Sequence, residues 1–189
     1  MTRGAVSRGA VRVVAGTARG LRLEVPAGTT TRPTSDRVRE AVFNALDSLG
    51  AVDDAQVLDA FAGSGALGIE ALSRGADHVT FCELDGAARA VLAANLVHTK
   101  LADRSTVSGG DGSRLVARGP WDLVLLDPPY AYDAWTDLLV EVAAGLVEDG
   151  VVVIESDREI ELPAALHGVR VRRYGSTVVT FATRTGASS

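Results

Sequence analysis

From Gln56 onward the chain alternates short apolar strands with single helices, and no other feature restricts its fold as much. Expected strands are Val57–Phe61, His78–Glu83, Ser105–Ser108, Trp121–Asp127 and Gly150–Glu155. Between them lie expected helices at Ala66–Arg74, Gly86–Val97, Ser113–Ala117 and Ala134–Leu146. Strands joined through helices run parallel, so the pattern predicts an α/β, doubly wound parallel sheet. The chain closes differently. Val169–Tyr174 and Thr177–Thr183 are separated only by Gly175-Ser176, which leaves room for a hairpin and none for a helix. The last strand should therefore run antiparallel, at or near the sheet edge.

The first residues predict a separate small element. Val11–Ala15 and Leu21–Val25 flank Gly16-Thr17-Ala18-Arg19-Gly20, which reads as a β-hairpin with a glycine-bearing turn. Beyond the loop Pro26–Pro33, Thr34 or Ser35 can cap a helix reaching Leu49, with Val38, Val42, Phe43, Ala45, Leu46 and Leu49 at helical spacing and Gly50 ending it. Residues 1–34 are thus a basic extension and hairpin, and 35–189 the main domain.

Charge divides along the same line. Residues 1–39 hold eight arginines, no lysine, and only Glu24 and Asp36 as acids; residues 162–189 hold four arginines and no acid. The acidic middle brings the net charge to −5. Arginine alone favours planar, bidentate contact with phosphate, which makes nucleic acid a sensible partner for the first segment, beside the alternative of a solvated surface.

With 47% hydrophobic and 23% charged residues in 189, the chain can bury one core and is not disordered. Its apolar runs, such as Leu123–Leu126 and Val151–Ile154, are far short of the ~20 residues that cross a bilayer. Met1–Ala10 has arginines but no apolar stretch of a secretory signal. Cys82 is the single cysteine and cannot form an internal disulfide, and no Cys/His pair at ligand spacing accompanies His78, His98 or His167. A cytoplasmic protein without structural metal is expected.

In a parallel sheet, ligands bind at the carboxyl ends of the strands. There the sequence reads Asp59-Ala60-Phe61-Ala62-Gly63-Ser64-Gly65, then Glu83, Asp111 and Asp127-Pro128-Pro129-Tyr130. Four strands each deliver an acid to one crevice. Gly63, Gly65 and Gly68 fit a G-x-G-x-x-G turn with Glu83 placed 20 residues beyond Gly63, so spacing alone admits a dinucleotide as readily as S-adenosylmethionine. Charge separates them. A dinucleotide brings a doubly charged pyrophosphate to that turn, which Asp59 repels; S-adenosylmethionine brings a sulfonium and an ammonium, which Asp59 attracts. No Lys or Arg occurs between Glu40 and Ser73 to offset the repulsion.

Two consecutive prolines have no N–H and force the preceding residue out of the helical region. Asp127-Pro128-Pro129-Tyr130 therefore presents a rigid, acceptor-only surface. It suits an amino group on a planar base, whose two hydrogens can be accepted by Asp127 and the Pro128 carbonyl while Tyr130 stacks on the ring. An exocyclic amine is a poor nucleophile because its lone pair is delocalised; holding both hydrogens favours a pyramidal nitrogen that can attack a methyl group. Cys82, beside Glu83, reads as a small core residue and not as a nucleophile.

Asp127-Pro128-Pro129-Tyr130 resembles the (Asp/Asn)-Pro-Pro-(aromatic) motif of amino-group methyltransferases, and Asp59–Gly65 their S-adenosylmethionine-binding first motif. The stretch Arg32–Asn44, with Gly63–Ala76 and Tyr174-Gly175-Ser176-Thr177, is similar to the bacterial 16S ribosomal RNA guanine-N2 methyltransferase family called RsmD. Tyr130 stands where many members carry phenylalanine, and either ring can stack. Met1–Gly9 extends beyond the family pattern. The resemblance implies a seven-stranded, Rossmann-like class I methyltransferase fold acting on ribosomal RNA or the small-subunit particle. It implies that Asp59 and the Gly63 and Gly65 backbone hold the methionine end of S-adenosylmethionine, Glu83 the ribose and Asp111 the adenine. Asp127, Pro128 and Tyr130 would be the catalytic residues that grip the base. Arg12, Arg19, Arg22, Arg32, Arg37 and Arg39 would face the RNA, although Arg37 and Arg39 cannot share one helix face. Three other readings remain open: an adenine-N6 methyltransferase, a nicotinamide-dependent oxidoreductase and a non-catalytic RNA-binding module. The oligomeric state is not legible in the sequence.

Overall fold

Alternation of apolar strands and amphipathic helices gives a seven-stranded sheet in the computed structural model, which describes residues 7–26 and 36–186. A two-stranded antiparallel hairpin comes first, β1 (Ser7–Arg12) and β2 (Arg22–Val25), followed by α1 (Asp36–Ser48). The main sheet then takes β3 (Gln56–Asp59), α2 (Ala66–Ser73), β4 (His78–Cys82), α3 (Gly86–Thr99), β5 (Ser105–Ser108) and β6 (Trp121–Leu126). It finishes with α4 (Trp135–Gly145), β7 (Leu146–Ser156), β8 (Leu166–Tyr174) and β9 (Thr177–Arg184).

The strand order is β5-β4-β3-β6-β7-β9-β8. β3 through β7 are mutually parallel, and β9 runs antiparallel to both neighbours. The expected antiparallel hairpin is present, with its second strand inserted beside β7 and its first strand left as the edge. Order reverses between β3 and β6, so a crevice opens at the carboxyl ends of these two strands, where Asp59 ends β3 and Asp127 follows β6.

Residues alternate between two cores. Val57, Leu123, Leu125, Val151 and Val153 face α1, α2 and α3, whereas Leu58, Val124, Leu126, Val152 and Ile154 face α4. The hairpin packs into the main core, with Val13, Ala18 and Leu23 buried in the first of these clusters. Glu70 of α2, fully buried, fastens it: its carboxylate accepts from the N–H groups of Val14 (2.7 Å) and Ala15 (3.0 Å).

Several boundaries differ from the sequence expectation, the first being β1, which spans Ser7–Arg12 where a strand at Val11–Ala15 is expected. The short helix at Ser113–Ala117 is two 3₁₀ turns, Gly112–Arg114 and Val116–Arg118. β7 begins at Leu146 and not at Gly150, because α4 stops where Gly145 packs its backbone on the Val116 carbonyl; a Cβ there would sit 1.8 Å from that oxygen. The expected cap at Thr34 or Ser35 lies outside the described residues. Among the described residues no helix is long and apolar enough to cross a membrane.

Candidate active site

The turn after β3 is built around a carboxylate. Asp59 is 1% exposed, and its Oδ2 accepts the Gly68 N–H at 3.0 Å, bracing the start of α2 from below. Gly65 enters that helix at φ 85°, in the left-handed region, and a Cβ there would come 2.3 Å from Leu92. Only glycine lets the turn close this tightly against α3.

Glu83, one residue beyond β4, ties the same turn from the side. Its Oε2 accepts from Gly63 N–H and its Oε1 from Asp85 N–H, both at 2.8 Å. Arg89 holds the adjoining backbone by donating to the carbonyls of Glu83 (2.9 Å) and Leu84 (2.7 Å). The Gly63 and Gly65 N–H groups, expected to serve a ligand's methionine end, are engaged inside the turn, to Glu83 and to the Ala62 carbonyl (2.7 Å). A turn this tight satisfies its own donors, so what it can offer a ligand is acceptors and space.

Asp111 caps the 3₁₀ turn after β5, its Oδ1 accepting from Ser113 N–H at 3.0 Å. Gly112 presses this loop onto the end of β3, where a Cβ would lie 1.8 Å from the Ala60 carbonyl. Phe61 and Tyr132 meet edge to face at 5.6 Å, and Tyr132 meets Trp135 at 5.3 Å, giving the crevice an aromatic wall. Burial raises the Tyr132 phenol's pKa, and the nearby carboxylates Asp111, Asp133 and Asp137 raise it further.

The electrostatics converge on Asp59. Burial pushes its carboxyl up to about 7, the charges of Asp127 and Glu83 add to the rise, and the Gly68 N–H opposes it. Its Oδ1 is buried and accepts no hydrogen bond, an arrangement that costs free energy unless a cation or donor reaches it. That orphaned acceptor fits an ammonium or sulfonium and not a pyrophosphate. Cys82 is fully buried and its thiol is pushed up to about 11, first by burial and then by Asp59, so it is no nucleophile.

After β6 the loop turns outward. Pro128 is buried, Asp127 is half-buried, and the Tyr130 ring is 37% exposed with its hydroxyl 3.3 Å from Thr177 Oγ1 at the start of β9. The structure thus gathers Asp59, Glu83, Asp111 and the Asp127–Tyr130 loop at one end of the sheet. A second cleft, about 320 Å³ and lined by Asp53, Asp54, Asp122, Glu148 and Asp149, opens at the opposite, amino-terminal end, away from these loops.

The arginines separate into two kinds. Arg12, Arg19, Arg22 and Arg37 are exposed, as a polyanion contact requires. Arg39 is 2% exposed: it donates to the Arg12 carbonyl and pairs with Asp36 (2.9 Å) and Glu70 (3.6 Å). It is a structural clamp and not an RNA contact, because the buried Glu70 carboxylate draws it inward. Arg32 lies outside the described residues.

One residue of the site has no counterpart in the sequence expectations. Asn95 of α3 is 1% exposed and donates to the Ser64 carbonyl (2.9 Å) of the glycine turn. A lone amide on a buried helix stripe with Leu92, Leu96 and Thr99 was the available signal.

Known proteins resemble this chain over most of its length. Residues 11–183 match the family model described as conserved hypothetical protein 95. The chain is 37% identical over 186 residues to the candidate rRNA methyltransferase YlbH of Bacillus subtilis, spanning 93% of this chain and 100% of that one. It is 40% identical over 158 residues to ribosomal RNA small subunit methyltransferase D of Escherichia coli K12, spanning 82% and 79%. The solved structure of yhhF, a candidate methyltransferase of Escherichia coli, superposes with TM-score 0.83 at 35% identity, covering 95% of this chain and 100% of that one.

Proposed function

Because this chain belongs to the conserved hypothetical protein 95 family, whose relatives include ribosomal RNA small subunit methyltransferases, we propose that it methylates the N2 amine of a guanine in 16S ribosomal RNA. S-adenosylmethionine is the methyl donor in this reading, and when bound it supplies an electrophilic methyl group on sulfur. The observation that carries it is the buried Asp59 carboxylate, its Oδ1 open while Oδ2 accepts from Gly68, set with the acceptor-only Asp127-Pro128 loop across the switch point.

Asp59 stabilises the cationic methionine end, Glu83 accepts from the ribose, and Asp111, beside the aromatic wall, accepts from the adenine amine. Asp127 and the Pro128 carbonyl hold the two hydrogens of the target amine, and Tyr130 stacks on a base lifted out of its RNA stack. Held in this way, the nitrogen lone pair would be free to take the methyl group that the bound donor would supply, the S–C bonding pair staying with sulfur. The methylated ammonium then loses its proton to Asp127 or to water. Arg12, Arg19, Arg22 and Arg37 meet RNA phosphates.

The test replaces the target guanine with inosine, which lacks only the N2 amine. Transfer to guanine RNA and none to inosine RNA is expected. Methylation of the inosine at that position refutes the N2 assignment.

A further inference from the structure

We infer that Glu155 at the end of β7 reads the N1–H of the target guanine and so makes the amine-gripping loop specific for that base. The inference rests on the reading above.

Glu155 is 2% exposed and stands at the end of β7, on the side of the sheet where the proposed site lies. β6 and β7 pair in register through Leu125↔Val153 and Leu126↔Ile154. Carried one step past its last pair, that register would set Asp127, the first residue after β6, alongside Glu155 at the roughly 4.8 Å spacing of adjacent strands. Leu125 and Val153 face the first core and Leu126 and Ile154 the second. The alternation therefore returns Asp127 and Glu155 to the face that carries Asp59, and the Asp127 charge is felt at Asp59. Tyr130 crosses from β6 to reach Thr177 of β9, whose next residues pair with the end of β7 as Val178↔Ser156 and Val179↔Glu155. The stacking ring thus spans the strand end that Glu155 occupies.

Guanine suits this arrangement. Its N1–H lies next to the N2 amine on the same edge, so a base gripped by Asp127 and the Pro128 carbonyl turns a further donor toward Glu155. Adenine has an amine the same loop could grip, but its neighbouring N1 is an acceptor and meets a carboxylate lone pair to lone pair. Glu155 thereby separates two bases that the Asp127–Tyr130 loop alone does not.

2-Aminopurine keeps the 2-amine and replaces N1–H with an acceptor. Single-turnover transfer to RNA carrying guanine or 2-aminopurine at the target position should favour guanine by roughly 10³-fold or more for the unaltered protein. Glu155→Gln presents an amide that can donate to that acceptor, so the preference should shrink at least tenfold while S-adenosylhomocysteine binding, followed by calorimetry, is unchanged. An equal loss on both RNAs would overturn the inference, since that is what a merely structural carboxylate gives. If the variant does not fold, the unaltered protein decides: a preference near one overturns the inference and a large one supports it. Failure of the parent reading looks different, because no N2-methylguanine then forms even with the unaltered protein.

Discussion

The side chain of Asn95 is paired with both backbone groups of Glu24, accepting from its N–H and donating to its carbonyl, each at 2.9 Å. The same amide nitrogen reaches Ser64 of the glycine turn. One buried residue therefore joins the arginine-bearing hairpin to the proposed cofactor loop. Asn95→Ala leaves three backbone groups without these partners and should cost about 2–3 kcal/mol, a fall in Tm of roughly 5–10 °C for a chain this size. S-adenosylhomocysteine affinity should fall with it. A drop in Tm with unaltered affinity would show that the link is structural only.

Asp59 gives the protein a pH dependence of defined sign. Its carboxyl titrates near 7 in the fold against the usual 3.8, so the folded state holds the proton more tightly than the unfolded chain. Asp59's contribution to stability is therefore fully present below about 4 and is lost as pH rises through about 7, by on the order of 4 kcal/mol at most. Asp59→Asn should flatten this profile in denaturant titrations. A cation bound at the site requires the ionised form, so S-adenosylmethionine affinity should rise with pH through about 7 in the unaltered protein and stay level in Asp59→Asn.

Asp127→Ala removes an acceptor needed chiefly as the nitrogen becomes pyramidal. Turnover should fall by roughly 10²-fold or more, with little change in cofactor or RNA affinity. Tyr130→Phe keeps the stacking ring and loses the hydroxyl contact to Thr177, so its effect should be small. Tyr130→Ala should cost about 1–3 kcal/mol of base stacking. Single-turnover kinetics with separately measured binding constants distinguishes these outcomes.

Replacing Arg12, Arg19 and Arg22 by alanine should lower the slope of log K against log salt by roughly 2 to 3 in RNA binding, one counterion release per arginine. Arg39→Ala should behave differently, leaving the slope in place and lowering Tm, because it removes the buried guanidinium that holds the Arg12 carbonyl and Asp36, while Glu70 keeps Arg74 at 2.8 Å. Anisotropy titrations over a range of salt and thermal melts of both variants check this.

What could be read from the sequence was local or periodic. Alternating strands and helices specify a parallel sheet, and residues just past each strand must gather at one end, so Asp59, Glu83, Asp111 and Asp127 were legible together. The Arg39–Glu70 clamp and the Asn95 link were not, because they join positions far apart in the chain; Asn95 and Glu24 are 71 residues apart. Arg39 read as one more cation in a basic segment, and only the packing of α1 against α2 shows it to be internal. The glycine turn misled in a smaller way. Its N–H groups looked available to a ligand, while Glu83 and Ala62, on either side, already accept them.

The insertion of β9 between β7 and β8 means that the sheet cannot close in the order in which the chain is made. As it emerges from the ribosome, β7 shows an apolar, unpaired margin at Val151–Ile154, and β8 has no neighbour of its own until residues 177–184 arrive. A nascent chain stalled before Thr177 is therefore a sticky ribbon, open to strand addition from another molecule. Arg170, Arg172 and Arg173 on β8 place repelling charge beside that gap, guarding the interval between synthesis and closure.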